Sequence, residues 1–158
     1  MSNSKTIVIT SMYANPIHPG HIECLEKAKA LGDYLIVIVN NDKQQLLKTG
    51  SIYQKQDFRL KIIESLKPVD EAFLSIDSDS SVCKSITEVY ALHEYFENNS
   101  RKSNDFIFAK GGDRFADNIP EKQICEQLGI KIVDGLGIKT HNSTQYRKQS
   151  LSKSVFEI

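Results

Sequence analysis

His18 and His21 bracket Pro19 and Gly20 in a His-Pro-Gly-His tetrapeptide, a spacing that lets two imidazoles face one ligand. The run before it, Thr6-Ile7-Val8-Ile9-Thr10, is β-branched and reads as a buried strand. After it, Ile22, Leu25, Ala28 and Leu31 recur at helical spacing, with Gly32 as the stop. The tetrapeptide therefore lies on a strand-to-helix turn. There the first backbone N–H groups of the helix lack intrahelical partners and the helix dipole adds partial positive charge, so an anion is attracted. Gly20 lets a phosphate approach the backbone. Two imidazoles can then donate to oxygens whose negative charge grows during phosphoryl or nucleotidyl transfer.

Other readings of the pair are weaker. His-x-x-His could hold zinc, but zinc needs three or four ligands, and Cys24, Cys83, Cys125, His93 and His141 lack metal-ligand spacing. A capping histidine beside a buried one would suffice for a purely structural turn.

The elements that must position the pair alternate along the chain. Thr6 to Thr10, Tyr34 to Asn40, Ala72 to Ile76, Asp105 to Ala109 and Lys131 to Val133 read as strands. Helices fit His21 to Leu31, Gln56 to Leu66, Ser81 to Glu97, Pro120 to Leu128, and a last one after Ser143 toward Phe156. Leu47 to Lys55, with Gly50 inside it, has weak periodicity, and Asn98 to Asn104 reads as a polar loop. Such alternation implies an α/β fold: a Rossmann-like, doubly wound, parallel five-stranded sheet with helices on both faces. Ligands of such sheets bind beyond the carboxyl ends of the strands. That rim gathers His18 and His21; Asn40, Asn41 and Asp42; Gly111, Gly112 and Asp113; and Asn142, Ser143 and Thr144.

Composition narrows the class. The 158 residues fit a single domain, 1–158, with 20 basic and 20 acidic residues and a formal net charge of zero. A nucleic-acid partner would call for a basic excess, so none is expected. Local clusters are more telling: Lys43, Lys48, Lys55, Arg59 and Lys61 form one, and Lys139, His141, Arg147 and Lys148 another. The odd, scattered cysteines read as reduced thiols, and there is no signal segment or apolar run of membrane-spanning length. A cytoplasmic protein without membrane contact is expected, so the sequons at Asn98 and Asn142 carry no meaning.

The stretch Met12-Tyr13-Ala14-Asn15-Pro16-Ile17-His18-Pro19-Gly20-His21, followed by Leu31-Gly32-Asp33-Tyr34 through Asp42, resembles the cytidylyltransferase-like nucleotidyltransferases. Within them it is most similar to the glycerol-3-phosphate cytidylyltransferase and heptose-1-phosphate adenylyltransferase group. The likeness continues through Leu47-Lys48, Arg59, Ile62 to Glu71, and Ala109-Lys110-Gly111-Gly112-Asp113-Arg114, covering roughly residues 6 to 147. It implies that a substrate phosphate attacks the α-phosphorus of a nucleoside triphosphate and expels pyrophosphate, with no covalent enzyme intermediate. His18 and His21 would stabilise charge, Lys48 would close over the phosphates on a mobile loop, and Asn142, Ser143 and Thr144 would hold the β- and γ-phosphates. Met12, Tyr13, Gly20, Gly112 and Asp113 complete the nucleotide site, and Arg59 either binds the acceptor phosphate or pairs with a carboxylate on its own helix. Mg2+ would enter with the triphosphate, and a homodimer is expected from the same resemblance.

Two departures stand out. The family carries glycine and an aromatic residue where this chain has Met12 and Ala14, so Met12 is expected to crowd the triphosphate turn; Asn142-Ser143-Thr144 replaces a turn richer in hydroxyls. The leading expectation is transfer of CMP, or AMP, to a sugar- or polyol-phosphate, with CTP placed ahead of ATP. The alternatives are an adenylyltransferase acting on a cofactor precursor of the phosphopantetheine or nicotinamide mononucleotide type, and a nucleotide-binding module that has lost turnover.

Overall fold

Strand β1 (Thr6–Met12) is buried on both faces and sits at the centre of the sheet, as its β-branched run requires. The computed structural model describes residues 4–97, 100–102, 104–111 and 119–136. Around β1 the main sheet runs in the order β3-β2-β1-β6-β7, built from β2 (Tyr34–Val39), β3 (Glu71–Leu74), β6 (Asp105–Ala109) and β7 (Lys131–Val133). Every pairing in it is parallel.

Alternation along β1 divides the core. Ile7 and Ile9 face one side, with Ile36, Ile38, Phe106 and Phe108, and are covered by α4 (Cys83–Leu92) through Ile86 and Val89 and by α5 (Lys122–Leu128) through Cys125. Val8 and Met12 face the other side, with Leu35, Val37 and Val39, under α1 (Pro19–Lys29) through Leu25 and Ala28 and α3 (Gln56–Glu64) through Ile63. The expected double layer of helices is thus present. Gly32 makes the turn from α1 into β2 possible, because a Cβ there would lie 2.7 Å from Thr6 O and 2.8 Å from Val8 Cγ2.

Several elements differ from the sequence reading. An unexpected helix, α2 (Asp42–Thr49), occupies ground read as weakly patterned. Its capping box joins Asn41 and Gln44, and Gly50 closes it at φ 77°. It escaped the periodicity because its buried residues are Gln44 and Gln45 while Leu46 and Leu47 are exposed. Helix α4 stops at Leu92 instead of Glu97, since Tyr95–Glu97 forms β4, antiparallel to β5 (Ser100–Lys102). β1 runs on to Met12, and the helix expected after Ser143 lies outside the described residues.

Candidate active site

His18 is the N-cap of α1, and its backbone is extended (φ −148°) while Pro19 supplies the preset φ of the first turn. Its Nδ1 accepts from Gly20 N at 3.1 Å, and His21 Nδ1 accepts in return from His18 N at 3.1 Å. This is a capping box in which both capping groups are imidazoles. Both Nδ1 atoms act as acceptors, so each neutral ring carries its proton on Nε2. The rings stack with centroids 3.8 Å apart and planes 33° from parallel, which presents the pair as one unit. His18 is buried and His21 half-buried, at the amino end of a helix that also offers dipole and N–H groups to an anion.

Arg59 holds the surrounding loops. Its side chain is fully buried on α3, and Nε donates to Gln54 O at 2.8 Å, Nη1 to Tyr13 O at 2.8 Å and Asn40 O at 2.6 Å, and Nη2 to Asp42 Oδ1 at 2.9 Å. Four of its five N–H donors are thereby committed to protein acceptors. Its carboxylate partner lies on α2 and not on its own helix, which corrects the expected intrahelical pairing, and most of the guanidinium's hydrogen-bonding capacity is taken up by the protein. Arg59 ties the β1 loop, the end of β2 and the start of α2 together. Asn41 adds a second tie, donating from Nδ2 to Ser75 O and Asp77 O.

Lys48 lies in the last turn of α2, which corrects its expected place on a mobile loop. Its Nζ stands 4.1 Å from the centroid of the ring of Tyr13, the residue directly beyond β1. Met12 is also corrected. The residue is 8% exposed and packs in the core cluster of Val8, Ala14, Leu25 and Ala28, while its carbonyl accepts from Asn40 N at 3.0 Å, so its side chain is part of the core beneath α1. Ala14 adopts φ 50°, a left-handed conformation that glycine or asparagine takes more readily, and is buried. Asn15, next along, accepts from Gln54 N at 2.7 Å, and the Asn15–Pro16 peptide is cis.

Lys110 received no role in the sequence reading, yet its Nζ reaches Ser11 Oγ at 3.4 Å at the carboxyl end of β6. Its signal was its place immediately after a strand and before two glycines. Gly112, Asp113, Asn142, Ser143 and Thr144 lie outside the described residues. Burial, reinforced by Glu121 and Cys83, pushes the Cys125 thiol up to about 12, and burial raises Cys83 as well, so neither is poised as a thiolate at neutral pH. Among the described residues no three His, Cys, Asp or Glu side chains converge into a metal cage.

A parallel α/β sheet with a histidine capping box at its carboxyl rim defines a nucleotide-handling class of protein. The comparisons specify it. The cytidylyltransferase-like family model matches residues 13–148, and the chain belongs to that family of nucleotidyltransferases. It is 34% identical to the FAD synthase of Methanocorpusculum labreanum over 89% of this chain and 91% of that protein. It is 42% identical to the glycerol-3-phosphate cytidylyltransferase of Bacillus subtilis over 40% of this chain and half of that protein. The crystal structure of a lipopolysaccharide core biosynthesis protein from Thermoplasma volcanium superposes with a TM-score of 0.62 at 26% identity, covering 88% of this chain and 100% of that one.

Proposed function

We propose that the protein is an adenylyltransferase that transfers AMP from ATP to the phosphate of FMN, a cofactor precursor, and releases pyrophosphate. The observation that carries this reading is the likeness to an FAD synthase over nearly the full length of both chains, where the cytidylyltransferase likeness spans only half of its relative. It moves the nucleotide from the CTP expected above to ATP, and the acceptor from a polyol-phosphate to a flavin phosphate. The site is suited to the chemistry. The FMN phosphate would attack the α-phosphorus in line as pyrophosphate leaves, and the Nε2–H groups of His18 and His21 would donate to oxygens gaining charge. Lys48, Lys110, Asn142, Ser143 and Thr144 are assigned to the phosphates, Tyr13, Gly112 and Asp113 to the nucleotide, and Arg59 to bracing. Mg2+ would neutralise the triphosphate. It would enter with the nucleotide, since Mg2+ is commonly held by substrate phosphates.

The test is pyrophosphate release over four pairings, ATP or CTP with FMN or glycerol 3-phosphate. Turnover with ATP and FMN is expected to exceed the other three by at least tenfold. CTP with glycerol 3-phosphate as the best pairing would restore the polyol-phosphate reading. Calorimetric binding of ATP with no turnover in any pairing would favour a binding module.

A further inference from the structure

Lys48 stands in the last turn of α2, where a lysine ordinarily turns its ammonium toward water or toward the open carbonyls of the helix end. Here Nζ lies instead 4.1 Å from the centroid of the Tyr13 ring. The backbones on the two sides of this contact are tied to each other independently of it. Tyr13 O accepts from Arg59 Nη1 at 2.8 Å, and Asp42 Oδ1, in the first turn of α2, accepts from Nη2 of the same guanidinium at 2.9 Å. Met12 O accepts from Asn40 N at 3.0 Å, one residue before the Asn41 cap of α2. Further along the helix, the buried Gln44 donates from Nε2 to Asp79 O at 2.8 Å and Ser81 O at 2.7 Å. The strand end and the helix are thus placed without the lysine. What the ring decides is where the ammonium of an exposed side chain spends its time.

We infer that the half-buried Tyr13 ring is a seat for the Lys48 ammonium, making Tyr13 a positioning residue that acts on the triphosphate through Lys48. Tyr13 is the first residue beyond β1, on the carboxyl rim where ligands of parallel sheets bind, so the seat holds the cation at that rim before a nucleotide arrives. The inference deepens the nucleotidyltransferase reading and rests on Lys48 meeting the phosphates, as proposed above. A lysine drawn in from solvent loses its rotamer freedom when a phosphate fixes it, whereas a seated one has already lost part of it. The seat is also weak enough to leave. At an exposed position a ring favours the ammonium by only about two- to fivefold, and a charged hydrogen bond to phosphate outcompetes it. The role belongs to the ring and not to the hydroxyl.

The experiment compares the intact protein with Tyr13→Leu, Tyr13→Phe, Lys48→Met and the double variant Tyr13→Leu/Lys48→Met. Each is read by calorimetric Kd for ATP with Mg2+, by kcat/KM for pyrophosphate release from ATP and FMN, and by Tm. Tyr13→Leu is expected to weaken ATP binding by about two- to fivefold, and Tyr13→Phe, which restores a ring, to recover that loss. Lys48→Met is expected to weaken ATP binding by about tenfold or more. On the Lys48→Met background Tyr13→Leu is expected to cost nothing further, since the ring then has no ammonium to hold. An equal loss from Tyr13→Leu on both backgrounds would mean that the ring meets the nucleotide itself, and would overturn the inference. So would a Tyr13→Phe protein as impaired as Tyr13→Leu, a Lys48→Met protein with the parent's Kd, or a Tyr13→Leu protein with a lowered Tm and the parent's Kd. If the parent binds ATP but shows no turnover with FMN, the FMN reading fails, and the same comparison on Kd decides the seat. A parent that binds no ATP refutes both.

Discussion

His18 caps α1 through Nδ1 and, in the proposed reaction, donates through Nε2–H, so replacing it with Ala is expected to remove two functions at once. The variants His18→Asn and His18→Ala separate them. Asn caps helices as well as any residue, so His18→Asn is expected to keep its unfolding free energy within roughly 0.5 kcal/mol, while His18→Ala loses about 1 kcal/mol. Both are expected to lose about a hundredfold in kcat, as does removal of one preorganised donor elsewhere. Chemical denaturation alongside pyrophosphate kinetics reads the two effects separately. Full activity in His18→Asn would reduce the residue to a cap. Met12 has the opposite profile, because its side chain belongs to the core beneath α1. Met12→Ala is expected to cost roughly 2–5 kcal/mol by leaving a cavity, with KM for ATP unchanged in the folded protein. The position of His18 and His21 on a strand-to-helix turn was legible from residue types alone. The fate of Met12 was not, because which face of a strand end is buried depends on where the neighbouring strand stops.

At the scale of elements, the strands and the helices on both faces were readable from apolar runs and helical spacing. Helix α2 was not. Its interior is made of amides: Gln44 Oε1 accepts from Asn40 Nδ2 and from Asn41 N, and Gln44 Nε2 donates to Asp79 O and Ser81 O. A helix that buries hydrogen-bonding groups and exposes leucines inverts the pattern on which periodicity rests. Its legible signals were the Asn41 to Gln44 box and Gly50. The cost of that omission was functional, since it left Lys48 on a loop and hid the partner of Arg59. Arg59 binds the loop after β1, the end of β2 with the start of α2, and the loop after α2. Arg59→Lys cannot serve four acceptors from one ammonium, so it is expected to lower stability by about 2–3 kcal/mol through unpaired buried carbonyls. Raised KM for both substrates is expected with it. An Arg59→Lys protein that unfolds like the parent, measured by urea titration, would contradict the bracing role.

Across the whole molecule, the proposed chemistry is assigned to the carboxyl rim of the sheet, and the amino rim carries a separate ionisable group of residues. Tyr34, at the start of β2, donates its hydroxyl to Glu71 Oε2 at 3.0 Å, and His93 Nε2 stands 3.0 Å from the same oxygen. Burial, with the Glu71 bond and charge adding to it, pushes Tyr34 from 10.0 up to about 12. The folded state therefore holds this proton above the pH at which the unfolded chain releases it. Stability from this group is complete below pH 10 and is lost as pH rises from about 10 to about 12. Tyr34→Phe is expected to flatten that alkaline limb in a Tm profile while leaving neutral-pH turnover untouched. An unchanged limb would place the loss elsewhere. The account as a whole stands on nucleotidyl transfer at the histidine turn, and one labelling measurement tests it most directly. With ATP labelled at the α-phosphate, FMN and Mg2+, the account predicts label in a flavin dinucleotide product and none in pyrophosphate, with the rate falling about a hundredfold in His21→Ala. Label that stays in ATP, or a His21→Ala protein that transfers it at the parent's rate, would contradict the account.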